Sequence, residues 1–140
     1  MSLETNLTDS EVLDSSSAEL EFNHVRTEGA KRFLTVAGGN PSLPYDLTFG
    51  HQVIGAGINK RRRSMVRFDR SLIGEVDSDV VVVGSMYTVA DIPIGNLDSY
   101  TEMISLLANL ASILATAKGG ATLAIDGTSP GADVLINGVL

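Results

Sequence analysis

The chain has 140 residues, of which 44% are hydrophobic and 19% charged, with no cysteine and no tryptophan. That size suits a single domain, here taken as 1–140, and the hydrophobic share is too high for a disordered chain. Without cysteine there is no disulfide framework, thiolate metal site or cysteine nucleophile. Met1-Ser2-Leu3-Glu4 lacks the basic and apolar regions of a signal peptide, and the stretch Met103 to Ala117, interrupted by Ser105, Asn109 and Ser112, falls short of a membrane span. The expectation is a soluble, cytosolic product. The net charge of −7 is unevenly spread: six of the ten basic residues (Lys60, Arg61, Arg62, Arg63, Arg67, Arg70) lie within residues 59–70, against Asp69 alone. The bulk charge argues against nonspecific nucleic-acid binding, while the local charge marks a strip that faces either solvent or a polyanion.

Residues 1–17 are polar and end in Asp14-Ser15-Ser16-Ser17, which reads as a turn, with the segment before it a loose arm or a first hairpin strand. From Ala18 to Arg26 the chain alternates, Leu20, Phe22 and His24 on one side and Glu19, Glu21 and Asn23 on the other, which predicts a strand with one wet face. After the turn Thr27-Glu28-Gly29-Ala30, residues Lys31 to Ala37 complete a hairpin. Gly38 to Pro44 is a break, Leu47 to Ile54 a third strand, and Gly55-Ala56-Gly57 closes it. The fourth strand, Lys60 to Leu72, places Val66 and Phe68 on one face and Arg61, Arg63, Met65, Arg67 and Asp69 on the other. A turn at Gly74 to Asp79 precedes the fifth strand, Val80 to Ile94, rich in β-branched residues and with Pro93 expected near its end.

One helix follows, within residues 98–118. Ser99 and Glu102 form a capping box, with Asp98 as a competing cap. Met103, Leu107, Leu110 and Leu114 mark one apolar face, Ile104, Leu106 and Ile113 widen it, and Ser105, Asn109, Ser112 and Thr116 leave only a narrow polar stripe. A helix of this kind is expected to be buried on most of its circumference. Lys118 and Gly119-Gly120 supply its stop, a short helix near Ala121–Asp126 is one reading of the tail, and the chain ends apolar after a Gly-Thr-Ser-Pro-Gly break. A helix over 99–117 is about 28 Å long and too narrow to cover five strands alone. Either the far face is wet or a second copy contributes its helix, and the wide apolar face favours an obligate dimer.

The order of hairpin, strands, basic strand, apolar strand and helix resembles the coat protein of the single-stranded RNA bacteriophages, the leviviruses. The resemblance is carried by Asn59-Lys60-Arg61-Arg62-Arg63-Ser64-Met65-Val66-Arg67-Phe68-Asp69-Arg70, by Met86-Tyr87-Thr88-Val89-Ala90-Asp91-Ile92-Pro93-Ile94 and by the helix after them, over roughly residues 47–140. It implies an α+β fold: an N-terminal β-hairpin and a five-stranded antiparallel sheet followed by C-terminal helices, in an interlocked homodimer whose sheets join edge to edge. It further implies assembly of dimers into a quasi-equivalent icosahedral shell, a virion component made in the bacterial cytoplasm, with single-stranded RNA against the sheet. A hairpin bound by the dimer to repress replicase translation belongs to the same implication. Family RNA sites use small hydroxyl residues, a lysine and a stacking aromatic on adjacent strands; Thr48 and Gln52, Arg67, and Ser85 with Tyr87 take those positions here, beside Arg61 and Arg63. Met103, Leu107, Leu110 and Leu114 are then the dimer and core contacts of the helix. In the fifth strand Met86, Ala90 and Ile92 are expected toward the helices, and Ser85, Tyr87 and Val89 toward RNA.

Competing readings of the same residues are plain. The basic strip is either charge protection of a strand or phosphate contact, and its alternation with core residues favours phosphate. Tyr87 is either an ordinary strand aromatic or a base-stacking platform. Asp91, odd within an apolar strand, is expected to pair with an arginine of the neighbouring strand. His24 and His51 have no ligand spacing, so neither metal nor cofactor is expected. Gly38-Gly39 and Gly55-x-Gly57 do not bridge a strand to a helix as a phosphate loop does, and the sequon Asn6-Leu7-Thr8 matters only on secretion. No nucleophile, base and orienting group stand together, which argues against an enzyme; neither a small-molecule substrate nor a membrane partner is expected. The alternative is a small dimeric regulator that reads RNA or DNA through its sheet without forming a shell.

Overall fold

The computed structural model describes residues 5–9, 11–115 and 127–138. They fall into two compact units, one of residues 1–12 and 20–97, the other of residues 13–19 and 98–140. The first unit is a five-stranded antiparallel meander in the order β1-β2-β3-β4-β5, with β1 Phe22–Glu28, β2 Lys31–Val36, β3 Tyr45–Ile54, β4 Arg61–Ile73 and β5 Val81–Ile92. The predicted hairpin supplies β1 and β2. Gly29 stands at the first central position of its two-residue turn with φ of 57°, where a type II′ hairpin needs a residue free of Cβ. The first strand starts later than its alternation suggests. Leu20 donates its N–H to the Val12 carbonyl and Leu7 exchanges both backbone bonds with Phe22, so Leu20 and Phe22 pair with the N-terminal segment. A register shift between His24 and Arg26 leaves Val25 as a bulge and turns Arg26 over the Phe33 ring at 4.2 Å. The fifth strand ends at Ile92, because Pro93 has no N–H to continue the ladder.

Period-two alternation divides the sheet into an apolar and a polar face. Phe22, Leu34 and Leu47 on one face are fully buried together with Leu7 of the N-terminal segment, and Val12, Leu20, Val36, Tyr45, Phe49 and Phe68 pack around them. The rings of Phe22, Tyr45 and Phe68 meet at tilted and edge-on angles, with Phe22 centroids 5.5 and 5.9 Å from the other two. This core lies under β1, β2 and β3. Toward β5 it gives out: Met86 and Val82, on the same face, are about half exposed.

The second unit is helical, with α1 Thr101–Ala115 and α2 Pro130–Asn137. The first helix begins one residue later than the capping box placed it. Tyr100 supplies the first carbonyl, to Ile104 N–H, and the Ser99 hydroxyl accepts from Thr101 N–H at 3.2 Å. Its predicted end, with Lys118 and Gly119-Gly120, lies outside the described residues, as does the short helix considered near Ala121–Asp126. The second helix, α2, sits further along, where the sequence reading saw only a break and an apolar end. Its signals are Ser129 capping Ala132 N–H, Pro130 in the first turn and Gly138 at the left-handed C-terminal position. Gly131 lets α2 approach α1, since a Cβ there would stand 2.5 Å from the Ile113 carbonyl oxygen.

The expected burial of the main helix is not reached within a single chain. None of the described α1 residues is buried: Ile104 is 65% exposed, Leu107 62% and Leu110 39%, while Met103 and Leu114 are half-buried. The apolar face exists as read, but one chain alone does not cover it. In contrast, Phe22 is fully enclosed, and Phe22→Ala is expected to lower the unfolding free energy by about 3–5 kcal/mol, measured by denaturant titration of circular dichroism.

Candidate nucleic-acid interface

The ladder of β4 with β5 runs without a break from Arg62 opposite Ile92 to Ile73 opposite Val81. The ladder of β3 with β4 runs from Tyr45 opposite Arg70 to Ile54 opposite Arg61. These two registers place Thr48, Arg67 and Tyr87 in one row across three strands, and Gln52, Arg63 and Asp91 in a second. Ser85 stands opposite Asp69, and Arg61 lies two residues before Arg63, so all seven expected residues, Thr48, Gln52, Arg61, Arg63, Arg67, Ser85 and Tyr87, share the polar face. A slip of one residue between strands would have divided them.

The arginines are not bare charges. Asp91 reaches two of the three arginines at the start of β4, accepting from Arg61 Nε at 2.8 Å and Arg63 Nε at 3.2 Å. Further along, Arg67 Nε donates to the two Asp69 carboxylate oxygens at 2.9 and 3.0 Å, its Nη2 lies 3.4 Å from Ser85 Oγ, and the Ser85 hydroxyl donates to Asp69. The Arg67 guanidinium carbon lies 5.7 Å from the centroid of the Tyr87 ring, which is 63% exposed. The expected pairing of Asp91 is therefore present, with two partners in place of one.

The Ser85 hydrogen bond, reinforced by Arg67, holds the Asp69 carboxyl below its ordinary 3.8 against the opposing effect of partial burial. Asp91 is lowered too, by its hydrogen bonds to Arg61 and then Arg63 and by their charges. Asp46 stands opposite Asp69 in register, so three arginines meet three aspartates and this part of the face is close to neutral. Around Gly50, where the missing side chain opens the surface, a shallow hollow of about 210 Å³ is lined by Lys31, Gln52, Arg63, Met65 and Val89. His24 Nε2 is 2.8 Å from Thr27 Oγ1, and His51 pairs in register with Ser64 on the opposite face. Among the described residues no three His, Asp or Glu side chains stand close enough to hold a metal ion.

No protein-family model and no curated protein matches the sequence. Solved structures do match by shape. The coat protein of bacteriophage EMS014 superposes with a TM-score of 0.70 at 14% identity, over 99% of this chain and 99% of that one. A virus-like particle of Beihai levi-like virus 32 gives 0.63 at 15% identity over 86% and 88%, and one of bacteriophage GQ-907 gives 0.62 at 14% over 100% and 96%.

The chain has the levivirus-type coat-protein fold.

In this coat-protein fold the first 45 residues, which resembled the family only in being hairpin-like, are part of the match. Reading the residues in isolation missed the role of Asp69 and the membership of Lys31 and Phe33 in the polar face, where Phe33 lies opposite Thr48. Strand parity carried the signal for all three, since Asp69 is two residues from Arg67 and shares its face. Both Asp69 and Asp91 are expected to titrate below 3.8. A depressed folded value means that their stabilisation is full above the ordinary range and is lost as pH falls through the lowered value. Carboxyl carbon shifts followed by NMR against pH check this, and Ser85→Ala should return Asp69 toward 3.8 while leaving Asp91 where it was.

Proposed function

We propose that this protein is the coat subunit of a single-stranded RNA phage, one domain over 1–140 that dimerises and then assembles into an icosahedral shell around RNA. The observation that carries the reading is the coat-protein fold along essentially the whole chain. Two features support the dimer. The sheet order leaves β5 at an edge, where its free N–H and C=O groups and the exposed Val81, Val83 and Val89 form a template for another strand. The exposed α1 side chains Ile104, Leu107 and Leu110 add apolar surface of the kind obligate dimers bury. A two-fold pairing of β5 with β5 satisfies the edge and brings a second helix to each subunit. The fully enclosed core of the lone chain, among the described residues, is only Leu7, Phe22, Leu34 and Leu47, which is small for a stable monomer.

The polar face then takes RNA. Arg61, Arg63 and Arg67 meet phosphates, Thr48, Gln52 and Ser85 offer hydrogen bonds, and Tyr87 presents a ring against which an unpaired base can lie. The same face binds an operator hairpin and so represses replicase translation. The role is structural, the product resides in the virion, and assembly takes place in the bacterial cytoplasm.

Electron microscopy of the purified recombinant protein tests the shell directly, with icosahedral particles expected and a dimer of about 29 kDa by gel filtration pointing to the regulator that forms no shell. Leu110→Asp should abolish particles and leave insoluble or unfolded chain, and a soluble folded monomer would sink the interlocked helix. Tyr87→Ala should weaken binding of the cognate hairpin by about tenfold to a hundredfold, the loss expected for one stacked base, with particles still formed; Tyr87→Phe should keep most of the affinity.

A further inference from the structure

We infer that Asp69 and Asp91 are positioning residues of the polar sheet face, which orient its three arginines for phosphate and restrain their long-range pull on polyanions. The inference rests on the RNA-facing reading above and concerns how that face selects what it binds.

The geometry repeats at two places that share no residue. At the start of β4, Asp91 spreads its two oxygens to Nε of Arg61 and Nε of Arg63, and its backbone carbonyl lies 3.5 Å from Arg61 Nη2. Further along the same face Asp69 takes Nε of Arg67 with both oxygens, and is itself fixed by the Ser85 hydroxyl. In each case the carboxylate engages Nε, the nitrogen nearest the side-chain stem. A guanidinium carries five N–H donors, so most of the terminal ones remain for a phosphate. Anchoring Nε fixes the planar group in one orientation before any ligand arrives, which removes part of the ordering cost of binding.

Charge is the second half of the device. All three arginine side chains are about half exposed, with accessibilities of 44%, 56% and 42%, so salt and water already weaken their pairs. Two carboxylates within hydrogen-bonding distance cancel most of the field at the range of a Debye length, about 8 Å at physiological ionic strength. At contact distance the donors are still present. A polyanion that merely brings charge gains little from this face. A chain whose phosphates fall on the fixed guanidinium forks, with bases for Tyr87 and the hollow at Gly50, gains the full set of contacts. Simple charge protection of a strand explains neither the shared use of Nε nor the Ser85 bridge.

The test uses the full chain and fluorescence anisotropy with labelled oligouridine across a sodium chloride series, with inorganic polyphosphate as competitor. Asp91→Asn should bind oligouridine about threefold more tightly at low salt, steepen the salt slope by about 0.7 for each arginine released to a phosphate, and lower the preference for RNA over polyphosphate. Asp69→Asn should move the same readouts through Arg67, and Asp91→Glu should restore the parent slope and preference. Parent-like slope and preference in both Asn variants would overturn the inference, while weakened binding in the triple variant Arg61→Ala, Arg63→Ala, Arg67→Ala would keep the RNA reading intact. Should that triple variant bind oligouridine as the parent does, both fall together.

Discussion

The uninterrupted antiparallel register of β3, β4 and β5 is the constraint on which the rest depends. Side chains on a strand alternate with period two, so the pairing of Arg67 with Thr48 on one side and Tyr87 on the other decides the face of every residue along three strands. It sends Val66 and Phe68 to the side of the aromatic core and the arginines to the side of Asp91 and Asp69. The same alternation makes the sheet amphipathic, with one face suited to packing and the other to polar ligands.

That division has an unequal consequence along the sheet. The core under β1, β2 and β3 is closed by Leu7 from the N-terminal segment, whose backbone pairs with Phe22. Toward β5, Val82 and Met86 stay about half exposed, and α1 in its own unit leaves Leu106, Leu107 and Leu110 exposed. A protein whose apolar surface exceeds what it can enclose is stable only when that surface is covered by another molecule. Under the function proposed above, assembly is part of folding and a second copy is the cover.

Electrostatics carry a comparable tension. A chain of net charge −7 is a poor polyanion binder in bulk, and its basic residues are concentrated in one strand. Asp69 on that strand and Asp91 on its neighbour then moderate it, lowered in pKa by the arginines and the serine they contact. The result is a face that is weakly charged at a distance and rich in fixed donors on contact.

Much of this was legible in the sequence, and for local reasons. Alternation of Val66 and Phe68 with Arg63 and Arg67 identified the basic strand and its two faces, β-branched residues marked β5, and Pro93 marked its end, because each of these depends on neighbours along the chain. The placement of Thr48, Gln52, Ser85 and Tyr87 beside the arginines came from the family resemblance, and the register places them there. Sequence patterns did not reveal where β1 starts, since Leu20 and Phe22 alternate whether they pair with β2 or with residues 7 and 12. They did not reveal α2, whose eight residues are too few to display a period. Nor did they assign Asp69 to Ser85, or Asp91 to two arginines at once: such contacts join residues 16 to 30 positions apart, and only the tertiary pairing of strands decides which side chains come within reach.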